Sequence, residues 1–418
     1  NKRGDIRSQS IKYKKLQTLM YHINKETLIK EHQKQITNKA SGIDKVTKEK
    51  YELNLYNNID KLIQRMKLFK YKPQAVRRTY IPKANGKLRP LGIPAHEDKL
   101  VQGVMANILN EIYELRLLNC SYGFRPSRNC HNAIASIKKS IMTKPVNYIL
   151  DADIKGFFDN VDHKWLIKFL ENDIEDKNFI RYIVRFLKSG IMEKEVIKES
   201  LKGTPQGGLI SPVLANVYLH YVLDLWVEKW IKPRAKGYVE IIRYADDFIV
   251  MFQYEKEAKS FYEVLKKRLL KFNLELEESK TRIIPFGRLN GSKEKFDFLG
   301  FTHINAKTRK GKYIVKHKTS KKKMKAKRKE FKKWMKESMH RPVYEIMETI
   351  KKKLIGHYNY YGINNNSKAI CDYYIYVKWN TYRILNRRHQ KKSMSYEIFS
   401  RIWTGFSMPI PRIKVNIG

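Results

Sequence analysis

Two places in this 418-residue chain set acidic side chains inside apolar runs. Asp151 and Asp153 lie in Tyr-Ile-Leu-Asp-Ala-Asp-Ile (148–154), and Asp246 and Asp247 lie in Ile-Ile-Arg-Tyr-Ala-Asp-Asp-Phe-Ile-Val-Met-Phe (241–252). A buried carboxylate without a partner is costly. Two so close together repel and raise one pKa unless a cation sits between them. A hard divalent ion such as Mg²⁺ removes that cost, since it takes oxygen ligands and is held by a few carboxylates. Phosphoryl transfer is the chemistry such ions serve: it needs oxygens held in line more than covalent help. The Asp246-Asp247 pair by itself is equally a hairpin turn, because Asp is a common turn residue.

The charge balance points the same way. Lys and Arg number 86 and Asp and Glu 41, a net +45. Such an excess repels itself unless an anionic polymer neutralises it, so nucleic acid is the first candidate partner and an anionic membrane surface the second. Hydrophobic residues at 42 % and aromatics at 12 % mark a globular chain. No run approaches the roughly 18 apolar residues of a membrane span, and Asn-Lys-Arg-Gly-Asp at the start lacks the apolar stretch of a signal peptide. Cys120, Cys130 and Cys371 cannot build a disulfide framework or a zinc ribbon. No Gly-x-x-x-x-Gly-Lys loop is present, which argues against an ATP motor. A cytoplasmic nucleic-acid protein is expected.

The elements that must carry the carboxylates read as α+β. The first 70 residues look helical, with Leu16, Leu19, Met20 and Ile23 at helical spacing and a break at 39–44. Residues 76–94 alternate around Asn85-Gly86, a hairpin signal. Helical periodicity returns over 98–117. Residues 148–154 read as a buried strand, and Ser211-Pro212 as an N-cap and first helical residue. Val239 to Phe252 reads as strand, tight turn and strand, followed by a helix over 256–272 and a short strand pair around 296–301. Past Lys307, residues 309–336 hold 15 Lys/Arg against one acid, Glu330. Ile346, Met347, Ile350, Leu354 and Tyr358 then share a helical face. Residues 306–418 are expected to be a basic helical domain; a merely solvated charged helix is the bland alternative.

The motifs resemble one family. Tyr244-Ala-Asp-Asp247 is similar to the active-site box of reverse transcriptases. Ala152-Asp-Ile-Lys-Gly-Phe-Phe-Asp-Asn-Val-Asp-His163 resembles their first carboxylate motif, Gly203-Thr-Pro-Gln-Gly-Gly-Leu-Ile-Ser-Pro-Val-Leu-Ala-Asn216 the motif lining nucleotide and template, and Phe296-Asp-Phe-Leu-Gly-Phe301 the primer-grip hairpin. Ile81-Pro-Lys, Gly86-Lys-Leu-Arg-Pro-Leu-Gly-Ile-Pro94 and Ser121-Tyr-Gly-Phe-Arg-Pro-Ser-Arg128 resemble the reverse transcriptases encoded by group II introns, the maturases. Ser41-Gly-Ile-Asp44 fits that family's N-terminal extension and Leu354-Ile-Gly-His-Tyr-Asn-Tyr-Tyr361 its thumb. The resemblance covers nearly the whole chain.

It implies a right-hand polymerase: an N-terminal extension and the start of the fingers over 1–75, fingers and palm over 76–305, and an α-helical thumb or maturase domain over 306–418. Asp153, Asp246 and Asp247 match the three metal-binding carboxylates, with the Ile154 carbonyl completing the sphere around two Mg²⁺ ions, for which Mn²⁺ can substitute. Asp151 does not fall on the catalytic position. Arg77, Lys83 and Arg89, six apart across the hairpin, suit a triphosphate and templating base, or else simple solubility. The resemblance makes Phe158 the gate that selects dNTPs, with Phe157 the adjacent rival and core packing the plain alternative. Gln206 is implied in nucleotide binding, and Lys280 is a candidate acid for pyrophosphate or else a solvated lysine. Lys321, Lys322, Lys325 and Lys329 are expected to bind RNA from one helical face. The implied partners are intron RNA, an RNA template with a DNA primer, dNTPs and a DNA target, with no membrane and the oligomeric state open. The sequence stops at Gly418 with no Cys-rich nuclease after the thumb and so resembles the endonuclease-lacking class; whether the natural chain extends beyond residue 418 stays open. The expected location is the bacterial cytoplasm, with nucleoid or ribonucleoprotein. A CRISPR- or defence-associated enzyme, and a splicing cofactor that only binds RNA, are the alternatives.

Overall fold

The computed structural model describes residues 2–82, 88–193, 196–198, 202–203, 207–388 and 394–417. The chain divides into two compact units. The first joins residues 1–133 to 150–283; the second joins 134–149 to 284–418.

The first unit opens with α1 (Lys2–Lys12), a 3-10 turn (Leu19–His22), α2 (Lys25–Lys34), α3 (Lys48–Glu52) and α4 (Leu55–Lys67). The helix expected through Leu16–Ile23 is not there. Leu16 instead bridges to Ile174, and Thr18 turns the chain with φ of 57°. Then come β1 (Val76–Pro82), β2 (Leu88–Ile93) and α5 (His96–Tyr113). The expected hairpin forms, pairing Arg77 with Ile93 through Pro82 with Leu88. The chain continues through α6 (Cys130–Thr143), β3 (Tyr148–Asp153), α7 (Phe157–Asn160), α8 (His163–Asp173), α9 (Lys177–Lys188), β4 (Ile191–Glu193) and β5 (Val196–Lys198). One sheet has the order β2-β1-β4-β5.

Helix α10 (Ser211–Leu219) runs on into two π-helical turns, His220–Asp224 and Val227–Ile231. Ser211 is its first helical residue rather than its cap, which is Ile210. The strands β6 (Val239–Tyr244) and β7 (Asp247–Phe252), the helix α11 (Glu255–Lys271) and β8 (Arg282–Pro285) follow. The sheet that carries the acids has the order β6-β7-β3-β8. Phe248, Ile249, Val250, Met251 and Phe252 are all buried, as a strand covered on both faces should be.

In the second unit β9 (Lys295–Phe298), β10 (Phe301–Lys307) and β11 (Tyr313–Thr319) form an antiparallel sheet ahead of α12 (Lys321–Ser338), α13 (Val343–Tyr361), α14 (Ser367–Leu385) and α15 (Tyr396–Gly405). The break expected after Asn305 therefore falls inside β10, and the first part of the basic run is strand, not helix. Ile346, Met347, Ile350, Leu354 and Tyr358 do share the buried face of α13. Residues 134–149 are tied into this unit: Lys138 Nζ donates to the Ile417 carbonyl at 2.8 Å, and the Phe286 amide to the Asn147 carbonyl at 2.8 Å. Gly287 has φ of 149°, and a Cβ there would lie 1.8 Å from the Val146 carbonyl oxygen, so no other residue fits. Among the described residues, no helix is long and apolar enough to cross a membrane.

Candidate active site

Asp153 ends β3, and Asp246 and Asp247 lie at the turn between β6 and β7, with β7 next to β3 in the sheet. The sheet thus brings the three carboxylates of the sequence reading to neighbouring strands. Asp153, Asp151 and Asp246 are half-buried and Asp247 is exposed. The turn is tight: Tyr244 pairs with Asp247, and Ala245 takes φ of 58°. A left-handed conformation costs a non-glycine residue about 1 kcal/mol, so something must hold it.

What holds it is a set of buried groups from distant segments. The Arg243 guanidinium, fully buried, meets both Asp224 oxygens at 2.7 and 2.5 Å, Asn216 Oδ1 at 3.0 Å, Ser121 Oγ at 2.9 Å and the Ala245 carbonyl at 3.0 Å. The Arg243 amide donates to the Cys120 carbonyl and the Tyr122 amide to the Arg243 carbonyl. Gly123 lies against the turn so closely that a Cβ on it would stand 2.4 Å from the Ala245 nitrogen. Arg125 stiffens the same loop through Glu114 and the Leu118 and Ser121 carbonyls. Sequence reading missed Arg243, Asp224, Asn216 and Ser121 as a group. The available signal was Arg243 itself, a lone cation in the apolar run around Ile241 and Ile242.

Lys280 reaches the acids from the loop after α11. Its ammonium is 2.5 Å from Asp153 Oδ2, and its pKa is raised, first by that hydrogen bond and further by the charges of Asp153, Glu277 and Asp247. Lys280 thus pairs with Asp153 and lies within electrostatic reach of Asp247. Among the described residues, no three His, Cys, Asp or Glu side chains gather tightly enough to hold a metal ion alone. Ile154 follows the last residue of β3. Its bridge to Leu276 is flanked by Lys155 N to Glu275 O and Glu277 N to Asp153 O, which turns the Ile154 carbonyl to the opposite edge.

The two phenylalanines separate. Phe157 is 2 % exposed and packs on Tyr218, whereas Phe158 is half-buried. Gly203 comes so near α7 that a Cβ on it would meet the Phe158 and Asp159 carbonyl oxygens at 2.9 Å. Gly207, with φ of 114°, comes as close to the Gly92 carbonyl on β2. Gln206, between these anchors, lies outside the described residues, as does Lys83. Arg89 sits on β2 opposite Ile81. Arg77 is exposed and donates to the Ser41 carbonyl at 2.7 and 3.1 Å, so it ties the N-terminal loop to β1. Lys321, Lys322, Lys325 and Lys329 are all exposed on α12, while Phe331 and Met335 face the core of the second unit.

The reverse transcriptase (RNA-dependent DNA polymerase) family profile matches residues 81–303, more than half of the chain. The chain belongs to the reverse transcriptase family. Members of this family use divalent metal ions and bind RNA. The reverse transcriptase chain is similar to the group II intron-encoded protein LtrA of Lactococcus lactis, at 39 % identity over 221 residues, covering 50 % of this chain and 37 % of LtrA. It is similar to protein YkfC of Escherichia coli, at 29 % identity over 309 residues, covering 66 % of this chain and 78 % of YkfC. A 91 kDa protein in the cob intron of Schizosaccharomyces pombe is 41 % identical over 170 residues, covering 41 % of this chain and 21 % of that protein. The match to LtrA thus spans well under half of that relative's length.

Proposed function

We propose that this reverse transcriptase is a group II intron-encoded RNA-directed DNA polymerase that also acts as a maturase, binding its intron RNA to assist splicing and retrohoming. The observation that carries the polymerase half is the meeting of Asp153, paired with Lys280, with the Asp246-Asp247 turn on neighbouring strands. Residues 1–75 serve as N-terminal extension and start of the fingers, 76–305 as fingers and palm, and 306–418 as thumb. Asp153, Asp246, Asp247 and the Ile154 carbonyl would hold two Mg²⁺ ions, or Mn²⁺ in their place. Bound there, the ions would activate the primer 3′-hydroxyl and stabilise the charge that develops on the leaving pyrophosphate.

The chain's own groups do the rest. Arg77, Lys83 and Arg89, with Gln206, orient the triphosphate and the templating base. The half-exposed Phe158 ring, rather than the core-bound Phe157, excludes a 2′-hydroxyl. Lys280, whose raised pKa keeps it protonated, carries a proton near Asp153 and is suited to donate it to the departing pyrophosphate. The lysines of α12 bind RNA through its phosphates, a mode that suits shape-based recognition of folded RNA.

Primer extension on an RNA template, with and without the parent intron RNA, tests the reading. Extension with dNTPs that needs a divalent ion, together with faster splicing of the intron RNA, is the expected result. Splicing stimulated without any extension would leave an RNA-binding cofactor and remove the polymerase.

A further inference from the structure

Arg243 is among the largest side chains that the first unit buries completely. A guanidinium has five N–H donors, and here each has an acceptor. Nε and one Nη2 hydrogen take Asp224, the other Nη2 hydrogen takes Ser121 Oγ, and the two Nη1 hydrogens take Asn216 Oδ1 and the Ala245 carbonyl. Asp224, 0 % exposed, neutralises the charge from the π-helical turn His220–Asp224. Asn216 is itself fixed by donating to the Gly123 carbonyl at 2.7 Å. Two segments distant in sequence, the Ser121 loop and the helical run from Asn216 to Asp224, thus converge on one side chain, and one arm of that side chain holds the residue immediately before Asp246.

Burial of an ion pair does not explain this. Apolar residues of similar volume often replace a buried pair at no loss of stability. They cannot hold the Ala245 carbonyl, and Ala245 is where the backbone adopts a left-handed conformation that it would otherwise leave. We infer that Arg243 is a positioning residue: clamped by Asp224, Asn216 and Ser121, its guanidinium holds the Ala245 carbonyl and so fixes where the Asp246 and Asp247 carboxylates point. The inference rests on the active-site reading above. It deepens that reading by assigning the Ser121-Tyr-Gly123 segment and Asn216 a role in the geometry of a turn more than a hundred and almost thirty residues away, respectively.

The decisive variant replaces the pair rather than the arginine alone. Arg243→Met with Asp224→Leu removes both charges, so no lone ion is left buried. The expected result is a thermal midpoint and an RNA affinity close to the wild type's, a KM for dNTP within about threefold, a kcat lowered at least tenfold, and Mn²⁺ binding to the primer–template complex, read by electron paramagnetic resonance, weakened about tenfold. A folded double variant with wild-type kcat and Mn²⁺ affinity overturns the inference. If the double variant does not fold, Arg243→Lys decides below its own melting temperature. Lysine keeps the charge for Asp224 but has three donors in a geometry that cannot also reach Ala245 and Ser121. The same loss of kcat and Mn²⁺ affinity is expected, and wild-type values sink the idea. Asp246→Asn runs alongside. If it extends primers normally, the active-site reading fails and takes the positioning role with it. If it is inactive while the folded Arg243 variants are not, the positioning role alone fails.

Discussion

Around Asp246 and Asp247 the charges are few, embedded and individually matched: Arg243 and Asp224 are 0 % exposed and every donor is used. Along α12 the charges are many, mostly exposed and nearly all positive, with Lys321, Lys322, Lys325 and Lys329 exposed and Phe331 and Met335 buried. The first arrangement sets directions to a fraction of an ångström. The second sets a potential, which survives the loss of any one member. Geometry and field are thus made by different regions of one chain, and they should respond to different insults.

The largest expected effect strikes geometry. Asp246→Asn should lower metal-dependent extension at least about 1000-fold, because interactions with the ions matter mainly in the transition state. RNA affinity should stay within about threefold. Extension above a few per cent of wild type would remove the carboxylate's metal role. The next strikes the field. Changing Lys321, Lys322, Lys325 and Lys329 together to Ala should weaken intron RNA binding roughly 100-fold at moderate salt and flatten the slope of log K against log salt by about two to four units. Extension on a short preformed primer–template at saturating protein should fall far less. An unchanged slope in a salt titration would make α12 a solvated face and end the contrast.

A finer cut distinguishes two neighbours within the geometric region. Phe158→Ala should raise rNTP use relative to dNTP by roughly 10-fold, read in competition assays. Phe157→Ala should instead cost about 3 kcal/mol of stability, since it empties a core position. The reverse pattern would exchange the two residues' roles.

The smallest effect tests what the regions share. Burial lowers the pKa of His96 and His220 in the first unit to about 4. In the second unit, burial with the nearby Lys138 lowers His317 to about 4, and burial with Lys327 lowers His357 to about 3. The unfolded chain, with ordinary values near 6.5, binds the protons that the folded one refuses. The histidines' contribution to stability is therefore full above about pH 6.5 and declines as the pH falls toward 4; Asp98, raised by burial to about 7, works in the opposite sense. Each histidine should contribute on the order of 1–2 kcal/mol to the loss between pH 7 and pH 5. Urea midpoints at the two pH values check the sum, and His357→Phe should reduce the difference by one such share. A pH 7 to 5 difference unchanged in His357→Phe would show that this imidazole ionises in place.

The field was easier to read from the sequence than the geometry. Counting Lys and Arg against Asp and Glu shows +45 without any fold. The strands carrying Asp153 and Asp247 were also legible, because unbroken apolar runs such as Phe248–Phe252 have few alternatives. Three things were not. Leu16–Ile23 has helical spacing, yet Leu16 is claimed by Ile174, a partner that periodicity cannot reveal. The lysines of β11 hide its alternation, in which Val315, His317 and Thr319 point inward. The clasp on Arg243 depends on Asp224, whose direction is set by a π-helical turn that no spacing rule for an α-helix anticipates.

The division of the chain has a consequence for its synthesis. Residues 134–149 leave the ribosome early, but the unit they belong to is completed only by 284–418. At roughly 5–20 residues per second, Ile134 waits something like 8 to 33 seconds for Phe301, the first later residue of the core it shares. Over that interval the core that Ile134 joins in the second unit does not yet exist, while the unit that holds the carboxylates is complete but for Ile284 and Pro285 at the end of β8. A nascent chain arrested shortly after the first unit emerges should therefore recruit a chaperone through this one helix, and shortening the wait with faster codons between 150 and 283 should raise the yield of folded protein.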